Sequence, residues 1–124
     1  MTTPTRRTVL VLGFDPYRVP MPDPDAVAAA LDRGQARFAE FDLVTDTCLI
    51  GLDDDVAAVV SAALTARPWD CIVIGGGLRK SPEALELFEL VVNLVHRHAP
   101  QATIAFNSSP EDSADAAVRS FAAA

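Results

Sequence analysis

Short apolar runs separate longer amphipathic segments along this chain. Residues 8–13, 71–74 and 102–106 are apolar runs rich in leucine and β-branched residues, which are typical of strands buried on both faces. Residues 42–50 instead alternate valine, aspartate, cysteine and isoleucine with threonine and leucine, and this alternation predicts a strand at the edge of a sheet. The pattern therefore predicts four strands.

The segments between these runs have the spacing of helices. The first helix is predicted to begin at Pro24 with Asp23 as its cap. Its inner face is formed by Val27, Leu31, Gly34 and Phe38. A glycine on this buried face indicates a close approach of the helix to the sheet. Further helices are predicted at residues 53–67, at 82–98 (the longest) and after Ser109 as far as about Phe121.

Strands and helices alternate from the first element to the last, which predicts an α/β protein with a parallel sheet and helices on both faces. Right-handed crossovers favour the strand order 2-1-3-4, the doubly wound, three-layer arrangement of flavodoxin-like and Rossmann-like domains. We expect one such domain over residues 1–124, because no linker, repeat or low-complexity tract interrupts the pattern.

Charge and composition limit the classes of partner and the cellular compartment that we expect for this protein. The chain has 17 acidic and 10 basic residues, and its formal net charge of −7 has the wrong sign for a nucleic-acid partner. No apolar run approaches the ~18 residues of a membrane span, so no membrane partner is expected. Two cysteines, with a basic flank at Arg6 and Arg7 that suits a first strand better than an export signal, indicate the cytoplasm.

Motifs for cofactors and metals are missing from the sequence. Gly75 and Gly77 lack the third glycine of the dinucleotide fingerprint, and no Walker lysine pattern is found. His96 and His98 are two residues apart and fall on different faces of a helix, which argues against a metal pair. We therefore predict neither a cofactor nor a metal.

The strand order places a candidate ligand site between the first and third strands. Ligands of open parallel sheets bind beyond the carboxyl ends of the strands, where the order reverses. Glycines there offer open backbone N–H groups and allow positive φ, and adjacent cations favour an anion. The residues predicted to bind a small anionic molecule are Arg18, Gly75, Gly76, Gly77, Arg79, Lys80, Asn107 and Ser108. The alternative is a tight turn followed by two solvated cations.

Asp15 is the candidate catalytic residue. It follows the first strand at the same edge of the sheet, where it would be the acid/base of a small hydrolase-like enzyme. The alternative is a structural Asp-Pro turn.

The helix at residues 82–98 is too apolar for a single buried face. The residues that can cover the sheet are Phe88, Val91, Val92 and Val95. Leu87, Leu90 and Leu94 would then lie outside, either under a neighbouring helix or in a homodimer interface. A non-catalytic, homodimeric interaction module is therefore the second functional hypothesis.

Stretches of the second half resemble an uncharacterised bacterial family of small Rossmann-like proteins. The resemblance is carried by residues 72–80, 87–89, 95–100 and 104–108. It implies a Rossmann-like fold and a bacterial origin, and it brings no activity. Residues 13–17 are also similar to the Gly-Phe-Glu-Pro-Phe opening of pyroglutamyl peptidases, over five residues from which no catalytic role is transferred.

Overall fold

A four-stranded sheet forms the centre of the protein in a computed structural model that describes residues 6–123. The strands are β1 (Thr8–Phe14), β2 (Val44–Ile50), β3 (Cys71–Ile74) and β4 (Thr103–Phe106). Neighbouring strands pair in parallel in the order β2-β1-β3-β4. The predicted strand order and the edge position of β2 are confirmed.

Five α-helices within the described residues cover the two faces of this sheet. They are α1 (Pro24–Arg37), α2 (Val56–Thr65), α3 (Gly76–Lys80), α4 (Leu85–His98) and α5 (Ser113–Ala123). The result is the predicted three-layer α/β fold of the flavodoxin-like and Rossmann-like type. None of the helices between residues 6 and 123 has the length and apolarity needed to cross a membrane.

Aspartates begin two of these helices. The Asp23 side chain accepts a hydrogen bond from the Ala26 N–H at 3.1 Å, as predicted for α1. Asp55 accepts from the Ala58 N–H at 3.2 Å, and α2 therefore starts later than the predicted residue 53.

The start of α4 differs from its prediction. Pro82–Ala84 forms a 3₁₀ turn, and the α-helix begins only at Leu85. As a result, α4 has 14 residues, the same length as α1, and it is not the single longest helix.

One face of the sheet, which we call the large-residue face, packs against α2, α3 and α4. Its strand residues are Leu10, Leu12, Cys48, Ile50, Ile72 and Ile74. Trp69 is buried in the same cluster, where its indole N–H donates to the Ala63 carbonyl at 2.9 Å. This face is filled by bulky side chains that leave little space between the layers.

The opposite face, which we call the small-residue face, packs against α5 and the Phe38 side chain that follows α1. Its buried residues, besides Phe38, are Val9, Val11, Cys71, Val73, Ala105, Ala114, Ala116 and Ala117. Small side chains on both layers allow α5 to approach the sheet closely.

The backbone of α1 at Gly34 packs directly against the backbone of Pro110. A Cβ built there would lie 2.0 Å from the Pro110 carbonyl oxygen, so only glycine fits this position. The close approach predicted for Gly34 is therefore found, but its partner is the 3₁₀ turn Pro110–Asp112 before α5 instead of the sheet.

The two cysteines are core residues. Cys48 and Cys71 are buried and unpaired. Burial raises the pKa of both thiols, which keeps them protonated near neutral pH.

The outer leucines of α4 are not all outside the core. Leu94 is only 8% exposed because α2 packs against α4, whereas Leu87 is half-buried and Leu90 is 39% exposed. For Leu94 the first of the two expected outcomes, cover by a neighbouring helix, is found, whereas Leu90 is left exposed. The homodimer stays a prediction. The three leucines do not form a continuous exposed surface on α4 to which a second copy could bind.

Candidate functional site

A cavity of about 480 Å³ opens at the carboxyl edge of the sheet, where the strand order reverses. We call it the first cavity. It lies between α1, the ends of β1 and β2, the start of α3 and the β4–α5 connection. Its lining residues are Val11, Leu12, Gly13, Phe14, Met21, Val27, Leu31, Leu49, Gly75, Gly76, Gly77, Lys80, Ser81, Asn107, Ser108, Ser109 and Pro110.

The position of α1 explains why this space is not filled. Gly34 holds the end of the helix against Pro110, while Val27 and Leu31, which lie nearer its start, line the first cavity. Across from them, Gly13 has no side chain, and the nearest atom to a Cβ built there is Leu49 Cδ2 at 3.8 Å. The walls are therefore aliphatic, and the space between them is open.

Asn107 ties the elements around the first cavity together. Its side-chain oxygen accepts from the Gly76 N–H at 2.9 Å, and its amide nitrogen donates to the Ser113 hydroxyl oxygen at 3.0 Å. The side chain is 4% exposed, so both bonds are shielded from water. Asn107 thus fixes the start of α3 relative to α5 and gives the cavity a rigid wall.

Lys80 is the one charged residue among those that line the first cavity. Its amine donates to the Ser108 carbonyl oxygen at 3.0 Å. The ion pairs found between residues 6 and 123 do not include Lys80. An uncompensated positive charge is therefore held at the rim of an apolar cavity.

The serines of the β4–α5 connection bond to Asp112. The N–H groups of Ser108 and Ser109 donate to its Oδ1 at 2.9 and 3.2 Å, and the Ser108 hydroxyl donates to Oδ2. Burial alone would raise the pKa of Asp112, but these hydrogen bonds outweigh it and the pKa is lowered. Ser108 therefore serves first to close the turn before α5.

The glycine segment is more ordered than the sequence predicts. Gly76 and Gly77 begin the short helix α3, and no glycine among residues 6–123 has a positive φ. The Gly75 N–H donates to the Leu12 carbonyl at 2.8 Å, and that of Gly76 is taken by Asn107. The expectation of open donors and positive φ is wrong for both residues, because the chain itself uses their N–H groups.

Arg79 does not line the first cavity. Its guanidinium donates to the Asn107 carbonyl oxygen and lies over the Phe106 ring, 5.6 Å from the centroid. The Arg79 side chain thus leaves α3 toward the end of β4, and it bonds to the carbonyl next to the one that Lys80 uses.

Arg18 is also occupied elsewhere. Its guanidinium bonds to Asp54 at 2.5 Å and to Asp53 at 3.1 Å. The Gly51 N–H and this guanidinium both lower the pKa of the Asp54 carboxyl group. Arg18 therefore joins the β1–α1 loop to the β2–α2 loop, and it is not among the lining residues.

Asp15 has the geometry of the Asp-Pro turn. Its Oδ1 accepts from the Tyr17 N–H at 2.9 Å, and its own N–H donates to the Ile50 carbonyl at 2.9 Å. Its side chain lines neither the first cavity nor the one described next. The acid/base role stays a prediction.

A second cavity of about 680 Å³ adjoins the first. Both cavities are lined by Phe14, Met21, Gly77 and Ser81. The remaining lining residues of the second cavity are Val19, Pro20, Leu52, Glu83, Ala84, Glu86 and Leu87. The charged residues at this cavity are acidic, in contrast to Lys80 at the first.

Sequence reasoning missed the apolar residues of the site. It assigned Val27 and Leu31 to a face packed on the sheet and gave no role to Met21 or Leu49. Apolar periodicity identifies a buried face but not its distance from the neighbouring layer. The available signal was Gly13, a glycine at the end of a strand that is otherwise apolar.

Comparison with known proteins identifies no relative of this chain. No protein-family model matches the chain, and no curated protein or solved structure is significantly similar to it. The resemblance to a bacterial family therefore stays a prediction. Within residues 6–123, no cluster of three or more histidine, cysteine or acidic residues is placed to hold a metal ion.

Proposed function

We propose that this protein binds a small molecule with an apolar body and an anionic group. The observation that carries the proposal is the first cavity, about 480 Å³ in volume and mainly aliphatic, with Lys80 as its one charged lining residue. Small-molecule sites in proteins are cavities of roughly 300–1,000 Å³ with apolar walls and a few polar groups that set orientation.

The apolar body supplies most of the binding free energy. Val11, Val27, Leu31 and Leu49 offer aliphatic surface on opposite sides of the first cavity. Removing this surface and that of the ligand from water is favourable in proportion to the area buried.

The anionic group sets the orientation of the ligand. A carboxylate or phosphate at the rim accepts a charge-assisted hydrogen bond from the Lys80 amine, which the Ser108 carbonyl already positions. This anion is the class expected from the sequence, while the apolar body comes from the cavity lining.

Calorimetry with alkyl carboxylates and alkyl phosphates, and with alcohols of the same chain length, tests the proposal. Both anions are expected to bind more tightly than the alcohols. Lys80→Gln is expected to weaken anion binding about five- to tenfold. Arg97→Gln, which removes an exposed cation outside the lining, is the matched control and retains it.

Filling the first cavity gives a second test. Gly13→Val adds a side chain from the end of β1 into the open space, where the first added atom meets only an ordinary contact at 3.8 Å. We expect a folded protein that no longer binds the alkyl anions. Undiminished binding to this variant would overturn the proposal.

A further inference from the structure

We infer that the ligand extends past Phe14 and Met21 into the second cavity, where a cationic group such as an amine lies beside Glu83 and Glu86. This inference rests on the proposed function, and it makes the ligand an amphipathic zwitterion. The two cavities share four lining residues and therefore adjoin, so a ligand longer than the first cavity extends toward the second.

The charges that line the two cavities are opposite in sign. Lys80 stands alone at the first, and Glu83 and Glu86 are the charged lining residues of the second. None of the three takes part in the ion pairs found between residues 6 and 123, whereas Arg18 and Arg37 both bond to acids. Uncompensated charges of opposite sign favour a ligand whose own charges are arranged in the reverse order.

The Glu83 carboxylate is held in place without losing its charge. The Ser81 hydroxyl donates to its Oε2 at 2.9 Å, and Ser81 lines both cavities. The pKa of Glu83 is lowered by its own backbone N–H and by this hydroxyl. An acceptor therefore stands at the boundary of the two cavities with its position set before a ligand arrives.

Apolar surface continues through the second cavity. Val19, Pro20 and Leu87 line it together with Leu52, which is 63% exposed. When the apolar body of the ligand lies across Leu52, it removes this exposed aliphatic surface from water. The ligand body can thus remain in contact with apolar residues between its two charged ends.

The experiment compares ω-amino carboxylates of increasing length with the alkyl carboxylates of the same length, by calorimetry on the full chain. At lengths that span both cavities, the amino compound is expected to bind about two- to fivefold more tightly. Added salt is expected to reduce this advantage because the acids are exposed.

Variants locate the source of the advantage. Glu83→Gln combined with Glu86→Gln is expected to remove the advantage of the amino carboxylate. The alkyl carboxylate is expected to bind this variant at least as tightly as the unchanged protein, because its anion is no longer repelled by the two acids. Glu89→Gln, an exposed acid of α4 outside the lining, is the matched control and keeps the advantage.

The outcomes separate the two proposals. Equal affinities at every length, with Gly13→Val still abolishing binding of both series, overturn the inference and leave the proposed function standing. An advantage that persists without Glu83 and Glu86 also overturns the inference. If neither series binds, the proposed function fails, and the inference fails with it.

Discussion

The two faces of the sheet are packed with side chains of different size. On the large-residue face, leucine, isoleucine and tryptophan side chains from the strands and helices α2, α3 and α4 form one apolar cluster. On the small-residue face, valine and alanine let α5 lie close, but the first half of α1 stands off from the sheet and the first cavity remains.

This difference arises within single strands. Leu10 and Leu12 of β1 point to one face, while Val9, Val11 and Gly13 point to the other. The cavity edge is then held by hydrogen bonds and close backbone contacts instead of bulky side chains. These hydrogen bonds and backbone contacts keep the cavity edge rigid, so the cavity can remain open without bulky side chains to fill it.

The largest effect is expected from equal truncations on the two faces. Leu10→Ala removes a side chain that is 2% exposed and should lower the free energy of unfolding by about 3–4 kcal/mol. Leu31→Ala borders a space that is already open and should cost about 1 kcal/mol. Urea unfolding measures both, and equal losses would mean that α1 packs as tightly as α4.

Two glycine substitutions on the small-residue face should differ in sign. Gly34→Ala places a Cβ 2.0 Å from the Pro110 carbonyl oxygen and should destabilise the protein by about 2–3 kcal/mol despite the better helix propensity of alanine. Gly13→Ala meets only an ordinary contact at 3.8 Å and should be neutral or slightly stabilising. Thermal unfolding of the pair checks this, and a stable Gly34→Ala protein would contradict the contact.

Removal of the Asn107 side chain tests the hydrogen bonds at the cavity edge. Asn107→Ala leaves the Gly76 N–H and the Ser113 hydroxyl without their partner and should cost about 2 kcal/mol. Hydrogen exchange of the Gly76 amide should accelerate. Asn93→Ala, which removes an exposed amide from α4, is the matched control and should cost less than about 0.5 kcal/mol.

The smallest effect is expected from pH. The hydrogen bonds that lower the pKa of Asp112 stabilise the folded protein at pH values above the ordinary aspartate pKa of 3.8, and this stabilisation is lost as the pH falls through the lower pKa of the folded protein. Asp112→Asn should therefore show a flatter decline in stability at acid pH. Asp32→Asn, an exposed charge of α1, is the control, and identical profiles would contradict the role of Asp112.

Much of the fold was predictable because apolar pattern and turn residues act locally. The run at residues 71–74 and the Asp23-Pro24 start of α1 are found as expected. The site was predictable only in part. Lys80, Asn107 and Ser108 meet at the first cavity, whereas Arg18 and Arg79 bond to other partners that pattern alone does not identify.

The sequence by itself determined the strand order and the edge of the sheet at which the first cavity opens, since both follow from the alternation of strands and helices. Only the tertiary structure decided what that edge contains. The contact between Gly34 and Pro110 holds α1 in place, and Val11, with a short side chain, and Gly13, with none, leave the space in front of Val27 and Leu31 open. Distances between layers depend on packing over the whole domain, and no local stretch of sequence specifies them.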